Sequence, residues 1–157
     1  MPHVAARPAT PDDLAAVAAL VADAAAEKAE QKGGAVWYRR ERRQDPPEAR
    51  LAAALASADD ELVVGTLDGA VLGYAAARVE KLADGGLLGV LDELYVDPEA
   101  REVGLGEALM DHVLAWCRER GCFGLDSLAL PGDRATKNFF ESFGLVARAI
   151  VVHRPLT

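Results

Sequence analysis

Residues 92–109 read Asp-Glu-Leu-Tyr-Val-Asp-Pro-Glu-Ala-Arg-Glu-Val-Gly-Leu-Gly-Glu-Ala-Leu. Two kinds of chemistry stand side by side here. Asp92 and Glu93 are carboxylates, able to take a proton or to pair with a cation. Arg101, Gly104 and Gly106 lie between a short apolar run that stops at Pro98 and an apolar pattern of helical period. That order predicts a strand, a tight glycine turn and a helix N-terminus. The first N–H groups of a helix have no internal partner and carry about half a unit of positive charge. Glycine lets such a backbone approach a ligand closely, so the turn is a candidate anion site, best suited to phosphate.

The spacing excludes the two best-known phosphate loops. A dinucleotide fingerprint needs a third glycine three residues after Gly106, where Leu109 stands, and a Walker loop needs Lys where Glu107 stands. What remains is Arg-x-x-Gly-x-Gly-x-Ala, formed by Arg101, Gly104, Gly106 and Ala108. Glu102 and Glu107 would suit the helix dipole with side chains turned away and N–H groups turned in. Strict alternation along the strand puts Asp92 with Leu94 and Val96 on one face, and Glu93 with Tyr95 on the other.

The rest of the chain must position this stretch. With 157 residues, half of them apolar, it is long enough for one domain with a core. Its net charge of −8 opposes nucleic-acid binding, which draws its affinity from Lys and Arg on phosphates. Cys117 and Cys122 read as reduced thiols, and His3, His112 and His153 are scattered, so no metal set is expected. The uncharged run from Leu14 to Ala22 is too short to span a membrane and no basic segment precedes it as a leader would require, so a cytoplasmic protein is expected.

Along the chain, His3 to Arg7 reads as a strand, and Thr10-Pro11-Asp12-Asp13 as a helix start. That helix runs to about Glu30, where Gly33-Gly34 ends it. Residues 35–45 are irregular, with Trp37, Tyr38 and Arg39, Arg40, Arg42 and Arg43; they read equally as a substrate-shaping segment or as a solvated connection. Pro46-Pro47-Glu48 opens a second helix. Three strands follow, at 61–67, 70–81 and 87–96, joined by turns at Asp68-Gly69 and Asp84-Gly85-Gly86. After the glycine turn come a helix at 105–120, a strand at 125–130, a helix at 133–143 and a last strand at 146–153.

The strand, the Arg-x-x-Gly-x-Gly turn and the helix resemble the acetyl-CoA pyrophosphate loop of the GCN5-related N-acetyltransferase (GNAT) superfamily. The order β-α-α-β-β-β-α-β-α-β is similar to that fold over essentially the whole chain. The helix at 133–143 adds a partial match, with Phe139, Glu141 and Gly144 in the family pattern. Asp133, Phe140 and Leu145 depart from its usual Asn, Tyr and Phe.

The resemblance implies an α+β domain over residues 3–157, a mixed, mostly antiparallel sheet flanked by helices. It implies an N-acetyltransferase that uses acetyl-CoA as cosubstrate and passes the acetyl group directly to a primary amine of a small molecule or peptide. The backbone of Leu94, Tyr95 and Val96 would pair with the pantetheine amides. Arg101 and the N–H groups of Glu102, Val103, Gly104, Leu105, Gly106 and Glu107 would hold the pyrophosphate. Asp133, Asn138 and Phe140 would complete the cofactor site. Asp92 or Glu93 would serve as base, with Asp92 preferred because it matches the catalytic carboxylate of polyamine acetyltransferases. Phe140 stands where many members carry the Tyr that protonates the leaving thiolate, and Phe cannot donate. The implied alternative is therefore a weak or inactive acyl-CoA-binding domain. The family also allows a homodimer.

Overall fold

A computed structural model describes residues 1–40 and 47–157; Arg42, Arg43 and Pro46 lie outside the described residues. Among the described residues five strands form one sheet in the order β1-β2-β3-β4-β5, comprising β1 (Val4–Pro8), β2 (Asp60–Leu67), β3 (Ala70–Lys81), β4 (Leu87–Val96) and β5 (Leu125–Ser127). The first three pairings are antiparallel and β4 with β5 is parallel. Among the described residues five α-helices accompany it: α1 (Leu14–Ala29), α2 (Gly34–Arg40), α3 (Pro47–Ala56), α4 (Leu105–Glu119) and α5 (Arg134–Ser142).

Alternation along β2 divides the core. Val63 faces α4, where it joins Leu91, Val96, Leu105, Leu109, Met110 and Val113. Leu62 and Val64 face the other side, with Val17, Leu20 and Val21 of α1, Leu51 of α3 and Tyr74 of β3. α4 lies across one face of β1 to β4, and α1 and α3 cover the other. The α1 start is held by Asp13, which accepts from the Thr10 N–H at 2.8 Å and from both Arg7 nitrogens at 2.7 and 3.0 Å. That bidentate pair ties β1 to α1.

Three expectations change. Residues 34–40 are helical, because Gly33 at φ +85° turns the chain sharply enough to restart a helix after α1. β5 ends at Ser127, not at 130. The strand expected at 146–153 does not form: the residues there are described, carry no strand pairing and are exposed; strand propensity is realised only where side chains pack on a half-buried sheet face, and these stay in solvent. Among the described residues, no helix is long and apolar enough to cross a membrane.

Candidate active site

The parallel pairing of β4 with β5 covers three positions, Gly89 with Leu125 to Leu91 with Ser127. The Ser127 hydroxyl closes it by donating to the Leu91 carbonyl at 2.9 Å. Beyond that point no described strand lies along this edge of β4, so residues 92–96 present backbone groups to an open gap. An exposed strand edge accepts an extended amide chain as an added strand. The Val96 carbonyl is already taken by Arg101 Nε at 2.9 Å.

The gap leads into the glycine loop. Asp97 accepts from the Glu99 N–H at 2.9 Å and shapes a short turn at Pro98–Ala100. Arg101 then folds inward. Its Nη2 pairs with Glu27 of α1 at 3.1 Å, and its guanidinium sits 5.3 Å from the Tyr95 ring centroid. Arg101, read from sequence as a pyrophosphate ligand, thus ties the loop to β4 and α1 here. Glu102 at φ +69° and Gly104 at φ +97° then turn the chain so that α4 starts at Leu105. No side chain caps that start, so the first N–H groups of α4 keep the capacity to bind an anion. A Cβ on Gly104 would meet nothing within 4 Å, so the outer side of the loop is open. Gly106 is closely covered instead: a Cβ there would lie 3.2 Å from the Phe139 ring. Val103 and Glu107 are exposed.

The carboxylates do not follow strict alternation. The register passes from Ala76 opposite Glu93 to Ala77 opposite Leu91, and Asp92 is the extra residue of a bulge in β4. A bulge re-aims the side chains beside it. Glu93 accepts from the Tyr74 phenol at 3.0 Å and from Arg50 Nη1 at 2.9 Å. Asp92 accepts from Arg78 Nε at 2.9 Å. Tyr74 and Arg78 share one face of β3, so both carboxylates lie on the α3 side of the sheet. They line a groove of about 290 Å³ with Asp60, Glu61, Arg50 and the α3 residues Leu51, Ala53 and Ala54. Acidic groups dominate its polar wall, which suits a cation.

Burial, then the charge of Glu93, pushes the Tyr74 phenol well above its ordinary range. Burial, then Glu27, raises Tyr95. Both remain protonated donors. The α5 residues are placed differently from one another. Asp133 caps its own helix, accepting from the Thr136 N–H at 3.0 Å. Asn138 is exposed, whereas Phe140 is buried in the α4-side core against Phe139. Sequence reading did not single out Tyr74, Arg50 or Glu27; these partners lie 19, 43 and 74 residues from Glu93 and Arg101.

Comparison with known proteins agrees with this architecture. The model of the acetyltransferase (GNAT) family matches residues 33–145. An aminoglycoside N(6')-acetyltransferase type 1 of Klebsiella aerogenes is 31% identical over 94 residues, which is 57% of this chain and 62% of that protein. The chain thus spans less than two thirds of that relative's length. A variant of the BH1408 protein from Bacillus halodurans superposes with a TM-score of 0.83 at 17% identity, over 97% of this chain and 99% of that one. The aminoglycoside N-acetyltransferase AAC(6')-Iy in complex with CoA gives a TM-score of 0.76 at 18% identity, over 100% of this chain and 97% of that one. With its sheet, its open β4 edge and its glycine-started α4, the chain belongs to the acetyltransferase (GNAT) family.

Proposed function

We propose that residues 3–157 form one N-acetyltransferase domain, which uses acetyl-CoA and passes the acetyl group directly to a primary amine. The observation that carries the reading is the open β4 edge at 92–96 running into the uncapped N-terminus of α4. The cosubstrate supplies an activated thioester; the chain's part is to bind, orient and manage a proton. The β4 edge takes the pantetheine amides as an added strand. The N–H groups from Glu102 to Glu107 hold the pyrophosphate, while Arg101 keeps the loop in shape. A backbone N–H at the end of β4 polarises the thioester carbonyl, as an oxyanion donor does.

The acidic groove gathers the acceptor as its ammonium form. Asp92, at the bulge and facing that groove, takes the proton directly or through water. Glu93 is clamped by Tyr74 and Arg50 and forms a fixed wall for the amine. Holding amine and thioester in register is itself worth up to ~7–11 kcal/mol in well-oriented systems. Similarity to the Klebsiella aminoglycoside N(6')-acetyltransferase supports an aminoglycoside-like, polycationic amine as the first acceptor class to try.

A second reading rests on Phe140. Buried and without a proton to give, it leaves the thiolate to water or another donor, a loss of roughly 10²–10⁴-fold if nothing compensates. On that reading the domain binds acyl-CoA without turning it over. Thiol release from acetyl-CoA in the presence of aminoglycosides, polyamines and short peptides separates the two. Transfer above background that falls by roughly 10²-fold or more in Asp92→Asn supports the enzyme. Binding of acetyl-CoA with no transfer to any of these amines supports the second reading.

A further inference from the structure

The two carboxylates of the groove wall carry arginines of different kinds. Arg50 on Glu93 belongs to a fixed set: the fully buried Tyr74 donates to the other carboxylate oxygen at 3.0 Å, and the Arg50 and Glu93 side chains are 20% and 24% exposed. Arg78 on Asp92 is held more loosely. Its Nε donates to Asp92 Oδ2 at 2.9 Å, and the two side chains are 34% and 29% exposed. An ion pair so open to water is screened and costs little to break.

Arg78 also has a second seat. Its Nη1 lies 3.8 Å from Glu80, a carboxylate 49% exposed and two residues along the same face of β3. Asp60 of β2 stands directly across from Arg78 in the β2–β3 register, close enough for cross-strand partners to interact. Asp60 and Asp92 line the groove, and Glu80 does not. A guanidinium that leaves Asp92 therefore keeps a carboxylate partner outside the groove. An ammonium ion taking its place meets Asp92 and Asp60.

We propose, on the reading of this groove as the acceptor's, that Arg78 is the acceptor's internal stand-in: its guanidinium holds the cation position on Asp92 until an acceptor ammonium displaces it to Glu80. The exchange puts one cation in place of another on the same carboxylate, so the groove holds no unpaired charge before or after it. Arg78 thereby favours acceptors that bind as cations. A cationic amine replaces the ion pair it breaks, whereas a neutral amine returns a hydrogen bond alone.

The test is calorimetric titration of the full chain with sisomicin and with spermidine, in the presence of CoA. Four proteins are compared: the wild type, Arg78→Gln, Glu80→Gln and the double variant, each checked for folding by circular dichroism. Arg78→Gln is expected to bind the amine about two- to fivefold more tightly, the range that one surface ion pair covers. Glu80→Gln is expected to bind it more weakly than the wild type, because the displaced guanidinium has lost its second seat. Added to Arg78→Gln, the same change is expected to do nothing. A general gain of negative charge would instead let Glu80→Gln weaken binding equally in both backgrounds, and that result overturns the proposal. Equal or weaker binding by Arg78→Gln overturns it too, as does absence of binding by all four proteins. Acetyl transfer is read in parallel. Affinities in the expected pattern without transfer support the role of Arg78 and count against the enzyme; transfer with equal affinities does the reverse.

Discussion

Tyr74 and Glu93 share a hydrogen bond of 3.0 Å, the buried phenol of β3 donating to the carboxylate of β4 at the wall of the groove. Arg50 of α3 holds the second carboxylate oxygen at 2.9 Å. Glu93 is thereby fixed by one neutral and one charged donor from two different elements. Tyr74→Phe should lower stability by about 1 kcal/mol, the usual net worth of such a bond, and should raise KM for the amine more than it lowers kcat. Urea unfolding and steady-state kinetics read the two effects. An unchanged KM would mean that Glu93 does not face the acceptor.

Gly106 lies under Phe139, which in turn packs on Phe143 at 5.2 Å between ring centroids. Alanine is the better helix former by up to ~1 kcal/mol, but overpacking costs about 1–3 kcal/mol. Gly106→Ala should therefore be destabilised, by about 1 kcal/mol on balance. Gly106→Ala/Phe139→Leu should recover that loss. Thermal unfolding of both variants checks the sign; a more stable single variant would mean that Phe139 gives way freely.

Arg7, by its hydrogen bonds, draws the Asp13 carboxyl down to about 2, against the cost of its burial. A carboxyl held lower in the folded state than in the unfolded one stabilises the fold above its unfolded pKa, and that contribution is lost as the pH falls toward the folded value. Stability should accordingly drop as the pH goes from about 4 toward 2. Asp13→Asn should be less stable at neutral pH and should show a shallower acid slope. Urea midpoints across this range measure it, and parallel curves for the two proteins would contradict the assignment.

Burial, reinforced by the neighbouring Cys122, pushes the Cys117 thiol up to about 11. At pH 8 it would be roughly 0.1% thiolate, and it is 4% exposed. Cys117 should stay unlabelled by a disulfide reagent in the native protein and react on unfolding. Mass mapping of the labelled peptides decides, and fast native labelling of Cys117 would contradict the packing of α4.

The meander and the glycine loop were legible because their signals are local. Asp68-Gly69 and the Gly104 turn each constrain a few adjacent residues, and their strands and helix follow from period alone. The faces of Asp92 and Glu93 were not legible, since the bulge is a property of the β3–β4 register and leaves no mark in the β4 sequence. Nor was the inward fold of Arg101, whose partner Glu27 lies 74 residues away. The segment at 146–153 has the composition of a strand, but composition cannot supply the edge it pairs with.

On the proposed function, the β4 edge and the α4 N-terminus bind acyl-CoA. Calorimetric titration of the wild type and of Gly104→Glu with acetyl-CoA and with CoA tests it most directly. Gly104 has no atom near its Cβ direction, so glutamate meets no packing clash, but it places a carboxylate at the anion site and a side chain at φ +97°. Saturable binding at one site per chain is expected in the wild type and at least about tenfold weaker binding in the variant, a loss of about 1.4 kcal/mol or more. Absence of binding by the wild type, or equal affinity of both proteins, would contradict it.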